Sequence, residues 1–126
     1  MAERCFLALD GDDIGSRLEV CMINEDVSGL EDFAFAFNHA LERFSEEIAK
    51  ISSVDVLLLG GDSILLTLPE GEIPRVNQLL HDQMAKVGVT FSGGYGKGLR
   101  QAYLGLKLAK ATGKNRLVRL GVEGSQ

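Results

Sequence analysis

The chain alternates short apolar runs with longer stretches in which apolar residues recur at helical spacing. The first run predicts a buried strand over residues 4–10, and the loop after it, residues 11–28, contains enough apolar residues for a short turn or helix. A capping box of Ser28 and Glu31 predicts the start of the first long helix, which continues to about Lys50. Its inward stripe consists of apolar residues at helical spacing: Phe33, Phe37, Leu41, Phe44 and Ile48.

Two further apolar runs, residues 54–59 and 64–68, flank four small residues and predict a buried β-hairpin. Its turn consists of Gly60, Gly61, Asp62 and Ser63. Pro69 and Gly71 end the hairpin, because neither residue continues a strand readily. Pro74 then fits the first position of a second helix, which Gly88 ends. The inward face of that helix is apolar: Val76, Leu79, Leu80, Met84 and Val87.

The last third of the chain predicts a strand, a helix and an edge strand. The strand runs from Val89 to about Ser92 and precedes a glycine-rich run, residues 93–98, which is typical of a bulge, a turn or a close approach to a ligand. The helix ends at Gly113, and residues 116–122 predict the short edge strand. The residues of this helix that are predicted to face inward are Leu99, Ala102, Tyr103, Leu106 and Ala109.

The element order is β-α-β-β-α-β, followed by a helix and an edge strand. This order predicts an α+β ferredoxin-like palm, with an antiparallel four-stranded sheet and both long helices on one face. We expect a single domain over residues 1–126, because this length can bury a core and the chain contains no repeat or linker. In this topology strands one and three are antiparallel neighbours, so Asp10 and Asp62 should lie close together.

Two acidic clusters therefore converge on one candidate metal site. Asp62 also has a simpler interpretation, since Gly and Asp are common in turns. Carboxylates that lie close together in a cleft repel each other unless a cation lies between them. We expect Asp10, Asp62 and the carbonyl of Gly11 to bind two Mg²⁺ or Mn²⁺ ions, which prefer oxygen ligands. Asp12 and Asp13 leave two roles open: one of them can cap the next turn and the other can help to bind metal.

Candidate phosphate ligands lie near the C-terminus. Lys107, Lys110 and Lys114 recur at i, i+3 and i+7, which predicts one side of the third helix. Such a row is usually a solvated helix face. Its predicted position beside the metal site favours phosphate binding by Lys110 and Lys114.

Charge and cysteine content exclude several classes of function. The net charge of −5 argues against a broad surface for nucleic acid or anionic membrane, so we expect no stable nucleic-acid binding and no membrane association. Cys5 and Cys21 lack metal-ligand spacing, and Cys5 should be a small buried hydrophobe. The sequence contains no signal peptide and no apolar run that could span a bilayer, so we expect a cytoplasmic protein.

These motifs together resemble the palm-type nucleotidyl cyclases. The Asp10-Gly11-Asp12 start, followed by Ile14 and Gly15, and the short length are most similar to the minimal CRISPR polymerase family (mCpol). The tail from Ala109 to Arg116 resembles the A-K-x-x-G-[RK]-N-R ending of GGDEF diguanylate cyclases.

This resemblance implies synthesis of a cyclic di- or oligonucleotide from ATP or a related NTP, in bacterial anti-phage signalling. It implies nucleotide binding by eight residues: Gly11, Asp12, Asp13, Gly60, Gly61, Ser63, Lys110 and Lys114. Ring closure needs two oppositely oriented attacks, so we expect a homodimer, with Phe35 and the glycine-rich segment around Tyr95 as candidate contacts.

Two positions depart from the family pattern. Ser63 stands where the GGDEF enzymes and the CRISPR polymerase carry a second acid, so a nucleotide-binding sensor module is an alternative to a cyclase. A metal-dependent nucleotide hydrolase is a further alternative, because relatives of the palm include a hydrolase that opens GTP. The asparagine that recognises guanine in diguanylate cyclases falls near Leu18, which cannot form those hydrogen bonds. Adenine is therefore the favoured base.

Overall fold

The computed structural model describes residues 3–121, which contain five strands and four α-helices. In chain order they are β1 (Arg4–Gly11), α1 (Ile14–Ile23), α2 (Val27–Ala49), β2 (Asp55–Gly60), β3 (Ser63–Pro69), α3 (Ile73–Ala85), β4 (Phe91–Gly96), α4 (Leu99–Ala111) and β5 (Leu117–Arg119). A short 3₁₀ turn, Glu70–Glu72, leads into α3.

The strands form one sheet in the order β2-β3-β1-β4-β5. β1 is central and antiparallel to both β3 and β4, while β5 is parallel to β4. The α+β palm with four antiparallel core strands is thus confirmed, and the predicted edge strand forms as β5. Val122, at the end of that prediction, lies outside the described residues.

The hydrophobic core lies between one face of the sheet and the helices α2 and α3. Alternate residues of β1 point into this core, and Cys5, Leu7 and Leu9 are nearly inaccessible. The predicted stripe of α2 meets them, as do Val76, Leu80 and Met84 of α3. Helix α4 lies on the opposite face, against β4 and β1. Within residues 3–121, no helix combines the length and the apolar character needed to cross a bilayer.

The prediction of a buried hairpin is wrong for its first strand. All six residues of β2 are exposed, while β3 alternates between buried and half-buried positions. β2 lies at the edge of the sheet, and Leu57 is the extra residue of a bulge in its pairing with β3. An apolar run therefore forms a strand here without a helix to cover it.

Two predicted helix starts also need correction. The capping residue of α2 is Asp26, whose carboxylate accepts a hydrogen bond from the Gly29 N–H at 2.9 Å, so Ser28 lies inside the first turn. The helix is therefore capped by Asp26, two residues before the Ser28 of the predicted capping box. Pro74 is the second residue of α3 rather than the first.

The glycine-rich run, expected to form a bulge, a turn or a close approach to a ligand, is strand as far as Gly96. β4 continues through Gly93 and Gly94 to Gly96, between β1 and β5. The run is therefore not a flexible contact segment, and Tyr95 packs partly buried against the core. A Cβ atom on Gly94 would collide with the backbone of α4, so glycine allows the helix to lie directly on the sheet.

This close contact also changes the inward face of α4. Small residues, Ala102, Gly105 and Ala109, are the ones that are buried. Leu99 and Tyr103 were predicted to face inward, but each is 55% exposed. The large side chains point away because the backbone of α4 leaves no room for them above β4.

Candidate active site

The end of β1 brings the two acidic motifs together. Asp10 is paired with Ser63 of β3 on one side and with Ser92 of β4 on the other. The next residue, Gly11, donates its N–H to the carbonyl of Asp62 at 2.9 Å. A side chain at Gly11 would collide with Ile14 and crowd Asp62, so glycine permits this approach. The expected meeting of strand one with the start of strand three is confirmed.

The hairpin turn places Ser63 directly against Asp10. Gly61 has a φ of 58°, a left-handed conformation that glycine adopts without strain, and Gly60 pairs with Ser63 across the turn. The Ser63 hydroxyl donates to Oδ1 of Asp10 at 2.9 Å. Ser63 therefore orients the Asp10 carboxylate, while both turn glycines remain exposed.

Asp12 is the most buried charged group at this end of the sheet. Its side chain is only 3% exposed, and its carboxylate accepts 2.6 Å hydrogen bonds from the hydroxyls of Thr90 and Ser92. The backbone N–H of Asn115 donates to it at 3.0 Å, and the Lys110 ammonium donates at 2.9 Å. Asp12 is thus enclosed by four donors: Thr90 just before β4, Ser92 of β4, Lys110 of α4 and Asn115 of the loop that follows α4.

Burial disfavours the ionised form of Asp12, but its hydrogen bonds outweigh that effect and hold its pKa below the ordinary value. Asp12 is therefore a carboxylate at neutral pH. Among the described residues, every buried side-chain polar atom has a hydrogen-bond partner.

Lys110 extends from the last turn of α4 to the end of β1. Its ammonium donates to the carbonyl of Gly11 at 2.8 Å and lies 3.2 Å from Oδ2 of Asp10. Burial disfavours the charged amine, but the hydrogen bonds and charges of Asp12 and Asp10 outweigh it and raise the pKa of Lys110. A fixed positive charge therefore sits beside Asp10.

Lys114 was predicted on the same helix side as Lys110, but α4 ends at Ala111. Lys114 lies in the turn after the helix, with a φ of 63°, and its ammonium contacts Oδ1 of Asp13 at 2.6 Å. Asp13 occupies the cap position of α1 but makes no side-chain capping bond. Lys107 remains on the exposed face of α4, over the ring of Tyr103.

The structure thus brings every predicted site residue to one end of the sheet, and it adds three that sequence analysis missed. Thr90, Ser92 and Asn115 hold Asp12. One signal was present in the sequence, because a serine within a predicted core strand needs a buried polar partner. Asn115 is the asparagine of the A-K-x-x-G-[RK]-N-R tail, but that motif indicated no contact with Asp12, and no pattern identified Thr90.

Within residues 3–121, no three carboxylate, imidazole or thiol side chains form a metal-binding group. The donors at the end of β1 are instead the carboxylates of Asp10 and Asp62 and the carbonyl of Gly11. All three are oxygen donors, the type that Mg²⁺ prefers. Asp10 is partly exposed, and the Gly11 carbonyl faces the Lys110 ammonium.

A family model for the minimal CRISPR polymerase domain matches residues 6–120. The chain is also similar in structure to the GGDEF domain of DgcB from Caulobacter crescentus in complex with c-di-GMP. That match has a TM-score of 0.59 and 15% identity over 92% of this chain and 77% of the other. A structure of the coiled coil and GGDEF domain of DgcB gives a TM-score of 0.61 and 15% identity, over 94% and 70% of the two chains.

The active GGEEF domain of a diguanylate cyclase from Vibrio cholerae is similar as well. Its TM-score is 0.57 with 14% identity, over 95% of this chain and 84% of that one. No curated protein sequence matches the chain significantly. At these identities the solved structures support the fold alone.

Proposed function

Because the chain belongs to the minimal CRISPR polymerase domain family, we propose that it is a metal-dependent nucleotidyl cyclase. It joins NTPs, with ATP favoured, into a cyclic di- or oligonucleotide and releases pyrophosphate. The observation that supports this proposal best is the convergence of four carboxylates and two ammonium groups at one end of β1. The product would act as a signal in anti-phage defence.

The proposed metal ligands are Asp10, Asp62 and the carbonyl of Gly11. Mg²⁺ is commonly held by one or two carboxylates together with substrate phosphates, which fits this small donor set. When bound, two such ions would stabilise the charge that develops on the attacking and leaving oxygens. The site also carries more carboxylates than ammonium groups, so its net negative charge favours divalent cations.

The proposed phosphate ligands are Lys110 and Lys114. Asp12 holds the Lys110 ammonium next to Asp10, and the turn after α4 holds Lys114 near Asp13. A triphosphate that lies across the end of β1 would meet both ammonium groups, and the exposed Gly60 and Gly61 would leave space beside it. Ordering of these lysines before the substrate arrives reduces the entropy cost of binding.

The proposed reaction forms one P–O bond and breaks another. The 3′- or 2′-hydroxyl of one nucleotide attacks the α-phosphate of a second and loses its proton to water, and pyrophosphate leaves with the electrons of the broken bond. Ser63 keeps Oδ1 of Asp10 in a hydrogen bond, which fixes the orientation of this proposed metal ligand. The positively charged Lys110 and Lys114 would stabilise the pyrophosphate as it leaves.

Ser63 also favours a second candidate. Its hydroxyl stands in place of an acid, which removes one carboxylate from the site. A palm with weakened metal binding would act as a nucleotide-binding sensor module, or as a metal-dependent nucleotide hydrolase if water replaces the attacking hydroxyl.

One experiment separates these functions. The protein is incubated with each NTP and Mg²⁺ or Mn²⁺, and the products are identified by mass spectrometry. A cyclic nucleotide and pyrophosphate would support the cyclase. Nucleoside diphosphate or monophosphate alone would support the hydrolase, and nucleotide binding without turnover would support the sensor.

Two substitutions test the assignment of the site. Asp10→Asn and Asp62→Asn should each abolish turnover, because each removes a carboxylate ligand with little change in shape. Asp32→Asn, which alters an exposed carboxylate of α2, is the matched control and should keep wild-type turnover. If Asp10→Asn or Asp62→Asn forms product at the wild-type rate at ordinary Mg²⁺ levels, the assignment of these carboxylates as metal ligands is wrong.

A further inference from the structure

A small cleft of about 60 Å³ opens between α3, the start of β4 and the loop after α4. Its floor is apolar, because Leu80, Met84 and Phe91 belong to the hydrophobic core. The cleft therefore lies on the face of the sheet that α2 and α3 cover, whereas Lys110 reaches Asp10 from α4 on the opposite face. The proposed metal and phosphate ligands do not line it.

The rim of the cleft is rich in hydrogen-bond donors. Asn77 and His81 lie one turn apart on α3, and the loop after α4 contributes Asn115 and Arg116. Within the described part of the chain, the side chains of Asn77, His81 and Asn115 make no hydrogen bond or ion pair. Arg116 donates one guanidinium N–H to the carbonyl of Thr112 at 2.8 Å, which leaves its other donors for a ligand.

The charge of the rim favours an anion. Among the residues that the structure describes, no carboxylate lines the cleft, and Arg116 carries a permanent positive charge. Asp12 contacts the lining residue Thr90, but the Lys110 ammonium at 2.9 Å offsets its charge. A guanidinium, two carboxamides and an imidazole together offer the N–H groups that an oxyanion accepts.

The volume of the cleft limits the size of its ligand. One buried water needs about 10–15 Å³ of such space, so the cleft holds several waters. A single tetrahedral oxyanion can replace them, with its oxygens at the polar rim and the apolar floor beneath it.

The loop after α4 presents its part of the rim on a fixed backbone. The Asn115 N–H donates to Asp12 at 3.0 Å, and the Arg116 carbonyl accepts the Gly93 N–H at 2.9 Å. Lys114 and Asn115 are held at φ values of 63° and 51°, which non-glycine residues adopt only where the surrounding structure enforces them. An ordered backbone lowers the entropy cost of binding at this cleft.

We propose that this cleft binds a phosphate-sized oxyanion, held by the Arg116 guanidinium and by N–H groups of the other three rim side chains. The binding does not depend on the proposed reaction, because the cleft and Asp10 lie on opposite faces of the sheet. Inorganic phosphate and pyrophosphate share the phosphoryl chemistry that this rim recognises, and both are candidate ligands.

The two histidines of the chain make the site observable by NMR. Inorganic phosphate is titrated into the wild type at pH 7 and constant ionic strength, with EDTA present, and the imidazole resonances are recorded. The His81 resonances should shift along a saturable curve. Those of His39, which is exposed on α2 and does not line the cleft, should stay in place.

Substitution of an arginine provides the second readout. Arg116→Gln should weaken phosphate binding roughly 10- to 150-fold, because it removes a charge-assisted donor group. Arg100→Gln is the matched control: Arg100 is exposed on α4 and does not line the cleft, so the phosphate affinity should remain at the wild-type value.

Three outcomes of these titrations would overturn the proposal, and one would identify the ligand further. Equal shifts of His81 with chloride or acetate would mean charge screening rather than phosphoryl recognition. A His81 that does not respond to phosphate would exclude the site. A response that Lys110→Gln abolishes and Arg116→Gln leaves intact would move the anion to the candidate active site. Tighter binding of pyrophosphate than of phosphate would identify pyrophosphate as the source of the phosphoryl group.

An oxyanion in the cleft should also stabilise the loop that donates to Asp12 and carries Lys114. Amide hydrogen exchange measures this link at the Asn115 N–H. Exchange should slow roughly tenfold when phosphate is present at about ten times its Kd, because the anion binds only the closed loop. Arg116→Gln should remove this protection. An unchanged exchange rate at saturating phosphate would show that the anion does not hold the loop.

Discussion

A carboxylate that is almost fully buried is stable only if hydrogen bonds replace its hydration, and Asp12 receives them from four different residues. These donors come from two stretches of chain, residues 90–92 and 110–115, that are distant in sequence from Asp12. Asp12 therefore connects β4, α4 and the turn after α4 to the end of β1. We infer that it positions Lys110 rather than binding metal, because its side chain is almost fully buried and each of its oxygens already accepts two hydrogen bonds.

Asp12→Asn should lower the free energy of unfolding by about 1–3 kcal/mol at pH 7, because it leaves buried donors without a full acceptor. The depressed pKa of Asp12 stabilises the fold at pH values above the unfolded pKa of about 4, and this contribution is lost as the pH falls through the folded pKa. The variant should therefore lose less stability on acidification. Urea denaturation between pH 3 and pH 7, with EDTA present, measures both effects.

Asp13→Asn is the control for this substitution. Asp13 is exposed, and its φ of 60° is a conformation that asparagine tolerates. The free energy of unfolding of the Asp13→Asn variant should therefore differ from that of the wild type by at most about 0.5 kcal/mol. Equal stability and equal acid sensitivity of Asp12→Asn and the wild type would contradict a positioning role.

Lys110→Gln and Lys114→Asn should each weaken NTP binding by one to two orders of magnitude. Charge-assisted hydrogen bonds to phosphate contribute roughly 1.5–3 kcal/mol each. Asparagine is chosen at position 114 because it tolerates the left-handed φ of 63° there. Lys107→Gln, on the exposed face of α4, should bind like the wild type. If calorimetry finds wild-type NTP affinity for all three variants, these lysines do not bind phosphate and belong to the solvated surface.

The separate site residues could be predicted because each lies at a break in an apolar pattern. Asp10 ends a buried strand, and Asp62 lies between two strands. The partners of Asp12 could not be predicted, since contact between residues 12, 90 and 115 depends on strand pairing that no local pattern encodes. Lys114 lies at the predicted end of the sheet, but the turn after α4 places it there rather than the helix, which ends before it.

Among the elements, the contact between α4 and β4 departs most from what residue preferences indicate. Glycine is a poor strand former, so the run from Gly93 to Gly96 reads as a loop. In the fold it is a strand because Gly94 and Gly105 let the helix backbone lie against the sheet backbone. Because of this contact, the spacing of large apolar residues does not identify the buried face of α4. Large side chains have no room between the helix and β4.

Gly94→Ala should destabilise the protein by about 3 kcal/mol or more, since the added methyl group meets helix backbone that cannot rotate away. Gly15→Ala in α1 is the control, because a Cβ atom there has no neighbour within 4 Å. It should be neutral or slightly stabilising. Equilibrium urea unfolding compares the two, and a Gly94→Ala protein as stable as Gly15→Ala would refute the close packing.

For the molecule as a whole, the proposed chemistry requires a second copy. One site at the end of β1 holds one triphosphate, while ring closure needs two oppositely directed attacks, which a two-fold axis supplies. Phe35, 76% exposed on α2, is a candidate contact. The glycine-rich segment is no longer a candidate, because it lies inside the sheet.

Specific activity should therefore fall when the protein is diluted through the range in which the dimer dissociates. Excess Asp62→Asn protein should inhibit the wild type, because mixed pairs contain one inactive site. Sedimentation velocity at the same concentrations locates the dissociation range, and excess Asp32→Asn controls for added protein. Activity per subunit that is unaffected by dilution and by the variant would mean that a monomer suffices.

The central position of β1 also determines when the protein can fold as the ribosome makes it. β1 is made before the other strands of the sheet, yet its neighbours β3 and β4 end at residues 69 and 96. Asp12 lacks its backbone donor until Asn115 has been made. At about 5–20 residues per second, this delay lasts roughly 5–20 s. The strand that organises the sheet thus stays unpaired until β3 is complete at residue 69, and a chain cut short before Asn115 leaves a buried charge without one of its donors. Fragments of this protein should be recognised and degraded rather than accumulate as partial enzymes.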